Sequence, residues 1–480
     1  MTESPALWVK CYLLPKPGKS GMKLPDGPTL PFFVQTLQLI ADPLKFLDTC
    51  TQRYGDAFTL RLLGRNSPPV VFFSHPQAIQ SIFTTSSDKF ELGKVTDVFR
   101  PLTGSTSLIM LDGQQHQVMR GLLMPPLHGK RLPTYSRLIR DITTDAIADW
   151  QPGLSLRIRD YMSEISLQVI LRVVFGLNVG DRYDRLKQLI EPFLNNITSP
   201  LNSIHFFWTP LQQDWGGWSP WGKFVRQRQH IDDLIYEQIA HRRTQPEGDD
   251  ILSLLMSARD QTGQSLTDVQ LRDQLITLLL LGHETTASAL AWAFYWLHRQ
   301  PLCLEKLTQE LDSLGENPDP DAIAQLPYLT AVCKEALRVY PIALIAQPRQ
   351  VKASVQIQGY ELEPGAIAVP CIYLTHRRPD VYPEPDQFKP ERFLHQQFSP
   401  YEYFPFGGGS RSCIGMALSL FEMKLVLATV LSRYQLAIAP NTSVQPWRRG
   451  ITIVPSEACP MVVKTQRHVH SSREKVISYQ

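Results

Sequence analysis

The sequence predicts a mainly α-helical protein with a small β-rich lobe, built as one large domain. Three observations predict it. Apolar residues recur at helical spacing from about Asp112 to Leu311, strand-like alternation is confined to short segments, and no repeat or linker divides the chain. Of the 480 residues, 43% are hydrophobic and 19% charged, ample apolar material for a single core. A formal charge of +3 is too balanced to argue for nucleic acid, so no such partner is expected. The seven cysteines form no CxxC pair and no CxxCH motif. That argues against zinc, an iron–sulfur cluster or a disulfide framework, and for a reducing, cytoplasmic setting.

From the N-terminus, residues 1–23 read as an unanchored extension. Their apolar patches are broken by Lys10, Pro15, Lys16 and Pro17, and they hold neither a signal-type apolar core with a cleavage site nor a membrane-length apolar run. The stiff stretch Leu24-Pro25-Asp26-Gly27-Pro28 leads into a domain expected to span residues 24–464, with a polar, frayed tail at 465–480. Strands are expected at Phe58 to Leu63 and Val70 to Phe73. A further set should lie between Val351 and Leu374, around Gly359 and Pro364-Gly365.

One helix dominates the middle of the chain. A capping signal at Ser265-Leu266-Thr267-Asp268 starts it, and Pro301 stops it after Arg299. At 1.5 Å per residue it is roughly 50 Å long, enough to cross a domain. Its centre, Leu275 to Leu297, is apolar on nearly every face, so it should be buried all round. A membrane span is the rival reading. Against it, Gly282-His283-Glu284-Thr285-Thr286 sits at the centre, where a charge costs about 2.5–3.5 kcal/mol in lipid. A core helix and no transmembrane anchor are therefore expected.

The most informative segment is Phe404-Pro405-Phe406-Gly407-Gly408-Gly409-Ser410-Arg411-Ser412-Cys413-Ile414-Gly415. Its three glycines let the backbone turn tightly and approach a flat ligand. Cys413 falls just before a periodic helix, Met416 to Tyr434, whose N-terminus and free amides would stabilise a thiolate. Arg411 supplies a cation suited to a carboxylate. A buried structural cysteine and a nucleophilic cysteine are the alternatives, although no base histidine lies nearby for the second.

The segment resembles the signature of the cytochrome P-450 haem-thiolate superfamily: Phe, two residues, Gly, one residue, Arg, one residue, Cys, one residue, Gly. Phe406, Gly409, Arg411, Cys413 and Gly415 stand in that register. The resemblance implies the cytochrome P-450 fold and non-covalent haem b, with Cys413 as axial ligand of the iron and Arg411 on a haem propionate. Thiolate ligation pushes electron density towards the iron and favours O–O cleavage.

Other positions follow from the same resemblance. It assigns Glu284 and Thr285 to proton delivery for oxygen activation and places Gly282 facing the haem. Leu281 departs from the usual Ala or Gly, which narrows the expected pocket. Glu335 and Arg338, spaced i, i+3, would form a structural network with Arg392 of Pro390-Glu391-Arg392-Phe393. His116 and Arg120 match a position where the family commonly has Trp-x-x-x-Arg, and with Arg349 they are expected at the propionates. His376-Arg377-Arg378-Pro379 departs from a family stretch that usually ends Asp-Pro. The resemblance spans about Leu24 to Val463 and looks closest to soluble bacterial members, including a cyanobacterial group that hydroxylates fatty acids and other lipids.

The expected reaction is insertion of one oxygen atom from O2 into an apolar substrate of fatty-acid, terpene or steroid type. No flavin, nicotinamide or iron–sulfur fingerprint occurs, so electrons are expected from an external ferredoxin and ferredoxin reductase. The protein is expected to act as a monomer. A peroxide-driven enzyme and a non-catalytic haem sensor are the alternatives. Pocket residues are expected from Val95 to Leu111 and from Asn196 to Trp221, where Trp208, Trp215, Trp218 and Trp221 cluster.

Overall fold

The computed structural model describes residues 24–62, 64, 67–198, 206, 211–246, 248–315 and 318–467. Trp208, the N-terminal extension and all but the first three residues of the predicted tail lie outside the described residues.

The long helix runs from Asp268 to Arg299 and organises the larger, helical lobe. Its capping box starts two residues later than the sequence signal: the Thr267 side chain accepts from the Gln270 amide, and Gln270 reaches back to the Thr267 amide. Around it pack the helices Ile158–Val169, Pro220–Arg243, Pro327–Val339 and Met416–Arg433. It is the one described helix long and apolar enough to cross a membrane, yet 72% of its most apolar window is buried inside the protein. Trp292 is fully buried and donates to the Ile453 carbonyl at 3.0 Å, pinning a C-terminal hairpin to this helix.

The smaller lobe is a mixed five-stranded sheet. Ala57–Arg61 pairs antiparallel with Pro69–Phe73, with Phe58 opposite Phe72 and their rings stacked 5.3 Å apart. Pro69–Phe73 pairs in parallel with Ile367–Pro370, which pairs antiparallel with Arg349–Val351; Phe90–Glu91 closes the edge. β-branched and aromatic side chains fill these segments because they fit a half-buried pleated surface.

The proline-rich stretch after His376 has no ladder of its own, and Arg338 supplies its ties. Arg338 is completely buried and grips Glu335 through two bonds of 2.7 and 2.8 Å. Its remaining N–H groups donate to the carbonyls of His376, Pro385 and Gln387 at 2.9, 2.8 and 3.0 Å. Arg392 approaches Glu335 at 3.4 Å and donates to the Glu384 carbonyl at 2.8 Å. The Phe404 amide donates to Nε2 of the buried His376 at 3.0 Å, so the network continues to the start of the cysteine loop.

The last strand, Pro460–Gln466, runs past residue 464, and Arg467 pairs with Asp312 at 2.7 Å. Of the tryptophan cluster, Trp215 and Trp218 are exposed and stacked on each other, while Trp221 packs on Phe224 at 5.0 Å.

Candidate functional site

The cysteine loop is shaped by backbone constraints. Gly407 and Gly409 both have φ of 67°, and a Cβ on Gly409 would lie 2.8 Å from the Phe83 carbonyl oxygen. The Cys413 amide donates to the Phe406 carbonyl at 2.8 Å, folding the loop back on itself. Cys413 is exposed, and the protein packed around its thiol pushes it up. Amides of Gly415 and Met416 and the charge of Arg120 oppose that shift, as a helix N-terminus should for a thiolate.

The cations expected near the loop converge there. Arg120 donates to the carbonyl and hydroxyl of Ser412 at 2.8 and 3.0 Å. Arg349 is buried, lies over the Phe83 ring and donates to the Gly408 carbonyl at 3.2 Å. Arg411 pairs with Asp112 and donates to the Leu111 carbonyl at 2.6 Å. His116 is pushed down to about 4, first by burial and then by the charges of Arg411, Arg120 and Arg349, so all four groups share one neighbourhood. Among the described residues, Arg411 is the one of these three guanidiniums that has a carboxylate partner, Asp112. Two positive charges in excess match a ligand carrying two carboxylates, as a haem does.

The central helix is not buried all round. Leu278, Leu281, Gly282 and Thr285 are only half-buried, at the i, i+3, i+4, i+7 spacing of one face. The Thr285 hydroxyl donates to the Leu281 carbonyl at 2.7 Å, and Thr286 meets Ser419 of the cysteine helix at 3.1 Å. The stripe therefore opens beside the crossing of the two helices. A Cβ on Gly282 would sit 3.0 Å from Ile170, so the missing side chain also accommodates Ile170.

A loop walls the site between both helices. Thr106 and Leu108 donate backbone N–H groups to Asp273 and Gln274 of the central helix, each at 2.9 Å. Arg411 holds the other end of the loop through Leu111. This bears on the expected contribution of residues Val95 to Leu111.

Glu284 faces elsewhere than Thr285. Its Oε1 pairs with the buried Arg159 and lies 3.2 Å from Nε of Arg449, beside a cavity of about 410 Å³. His283 is buried and bonds Ser163 at 2.9 Å, a packing role. Arg159 and Arg449 escaped the sequence reading, because isolated basic residues carry no spacing signal until the fold brings them to a partner.

The chain matches the family Cytochrome P450 over residues 24–458. It belongs to the cytochrome P450 family. A Mycobacterium tuberculosis protein named as cytochrome P450 135B1 is 34% identical over 461 residues, covering 95% of each chain. One named as cytochrome P450 138 from the same organism is 32% identical, covering 93% of this chain and 98% of the relative. Among solved structures, retinoic acid-bound cyanobacterial CYP120A1 has a TM-score of 0.80 at 25% identity, covering 92% of this chain and 99% of the other. The haem domain of cytochrome P450DA superposes with a TM-score of 0.81 at 23% identity, a likeness of fold. This P450 is a haem-thiolate monooxygenase that binds haem b non-covalently.

Proposed function

We propose that this P450 hydroxylates an elongated apolar molecule of fatty-acid, terpene or steroid type with electrons from an external ferredoxin system. The half-buried stripe of the central helix carries the reading: three of its four positions are apolar or lack a side chain, and Thr285 alone offers a hydroxyl. Such a wall desolvates an apolar body and directs only proton chemistry at it. The retinoic acid-bound state of CYP120A1, an elongated apolar acid on a similar scaffold, supports the substrate class.

Cys413 would ligate the iron, and Arg120, Arg349, Arg411 and His116 would meet the propionates. When bound, haem supplies oxygen activation, and the thiolate favours O–O cleavage. The protein's own work is positioning and proton supply. Arg120 fixes Ser412 and, with the Gly415 and Met416 amides, favours negative charge on Sγ against the burial that opposes it. Glu284 takes up protons on the cavity side of the central helix, and the Thr285 hydroxyl presents them on the stripe. Leu281, beside Thr285, limits the bulk that can approach. The described cysteines are all free, which supports a cytoplasmic setting.

Spectral titration of the ferric protein against fatty acids, terpenes and steroids tests the substrate class. A spin-state shift with saturating apolar ligands is expected. Response only to small polar molecules would reject the reading. Turnover with ferredoxin and reductase, set against hydrogen peroxide, tests the electron source, and product formed from peroxide alone would overturn it.

A further inference from the structure

Behind the central helix lie two adjoining cavities of about 420 and 410 Å³, sharing Arg157, Arg159, Asn195 and Arg449. Arg448 lines the first as well, and Trp447, 62% exposed, stands at its lip. The charges of the first do not balance: Arg157, Arg159, Arg448 and Arg449 face Glu457, whereas the second also holds Asp160, Glu164, Glu191 and Glu284. Arg157 pairs with Asp160 at 2.6 Å, but Arg159 and Arg449 share the single carboxylate of Glu284. Arg448 has no ion pair among the described residues and donates to the carbonyls of Leu39 and Gly450 at 3.2 and 2.9 Å. Nε of Arg159, in a side chain only 9% exposed, has no hydrogen-bond partner among the described residues. Burial pulls the guanidiniums of Arg448 and Arg449 down. Buried cations with unused donors are costly unless an anion meets them.

We propose that this arginine cavity is a second ligand site, separate from the Cys413 site, which binds an oxyanion-bearing molecule and competes with Glu284 for Arg159 and Arg449. Phosphate and carboxylate oxygens match the planar donor forks of Arg448 and Arg449, and the Trp447 indole offers a flat apolar face for the body of an organic anion. Glu457, also on the lining, disfavours a ligand of high negative charge. Because the oxyanion and the Glu284 carboxylate draw on the same two arginines, occupancy at one weakens the hold on the other, and the coupling is reciprocal. That competition would tune the proton supply proposed above. The regulatory consequence rests on that reading, whereas the binding site does not.

The test is calorimetric titration of the haem-loaded full chain with inorganic phosphate and with phenyl phosphate, for wild type and three variants. Saturable 1:1 binding is expected, tighter for phenyl phosphate because of Trp447. Arg448→Gln and Arg157→Gln, each removing a charged donor outside the Glu284 pairs, should weaken it by about tenfold. Glu284→Gln, which removes the competitor, should tighten it by a comparable factor. Equal affinity for both probes would place the ligand on the arginines alone and overturn the role of Trp447. Absent or unsaturable binding overturns the site, and unchanged affinity in Glu284→Gln overturns the competition while leaving the monooxygenase reading intact.

Discussion

Arg338→Lys tests how far one buried guanidinium holds the cysteine loop. Arg338 makes five hydrogen bonds, two to Glu335 and three to carbonyls of the proline-rich segment. Its plane also lies 5.1 Å from the Tyr382 ring centroid. Lysine keeps the charge but has three N–H groups on one atom, so at least two of these acceptors lose their donor. Each buried acceptor left unmade costs about 1–3 kcal/mol, so the substitution should cost about 2–6 kcal/mol. Against a total stability of roughly 5–15 kcal/mol, that is a large fraction. The loss would fall on the segment that delivers His376 to the Phe404 amide, so haem retention should fall along with global stability. The assay is the ferrous carbon monoxide spectrum per mole of purified protein, followed by denaturant unfolding of the same sample. Wild-type haem content together with an unchanged unfolding midpoint would refute the reasoning.

Four further outcomes are expected. Cys413→His should abolish the red-shifted Soret band of the ferrous carbon monoxide complex, and survival of that band would move the ligand to another cysteine. Thr285→Ala should leave haem content and substrate affinity intact while diverting reductant into hydrogen peroxide; unchanged product per reductant would return Thr285 to a packing role. His376 is pushed down to about 3 by burial and then by Arg338, below the unfolded value near 6.5, so it folds neutral and its share of stability is full above about pH 6.5 and lost as pH falls towards 3. His376→Gln keeps an acceptor for Phe404 and should flatten that acid limb, measured by denaturant unfolding between about pH 7 and pH 4; an equally steep limb would remove His376 from the cause. Reduction by an acidic ferredoxin should slow as salt rises and in Lys130→Glu, and stopped-flow rates indifferent to both would argue against a basic docking face.

Of the basic residues near the loop, Arg120 and Arg411 turn inward to Ser412 and Asp112, Lys424 donates to the Ala324 carbonyl at 2.7 Å, and Arg131 pairs with Asp249 at 3.0 Å. Lys130 is exposed, and it carries the surface charge.

The sequence by itself determined the family and the elements that define it. Phe406, Gly409, Arg411, Cys413 and Gly415 are locally constrained, because turn geometry, loop length and a helix start fix their spacing. The central helix and the Glu335–Arg338 pair were legible for the same reason: helical periodicity reports which residues share a face within one element. Tertiary structure alone decided which way those faces look and what meets them. It buried the Glu335–Arg338 pair completely, where isolated i, i+3 spacing reads as a surface bridge. It opened Leu278, Leu281 and Thr285 in a helix whose composition reads as buried throughout. It set Gly282 against Ile170, and it brought Arg159 and Arg449, far apart in the chain, to one oxygen of Glu284. Periodicity is a property of adjacent residues, whereas charge balance in a cavity is set by residues that meet only after folding.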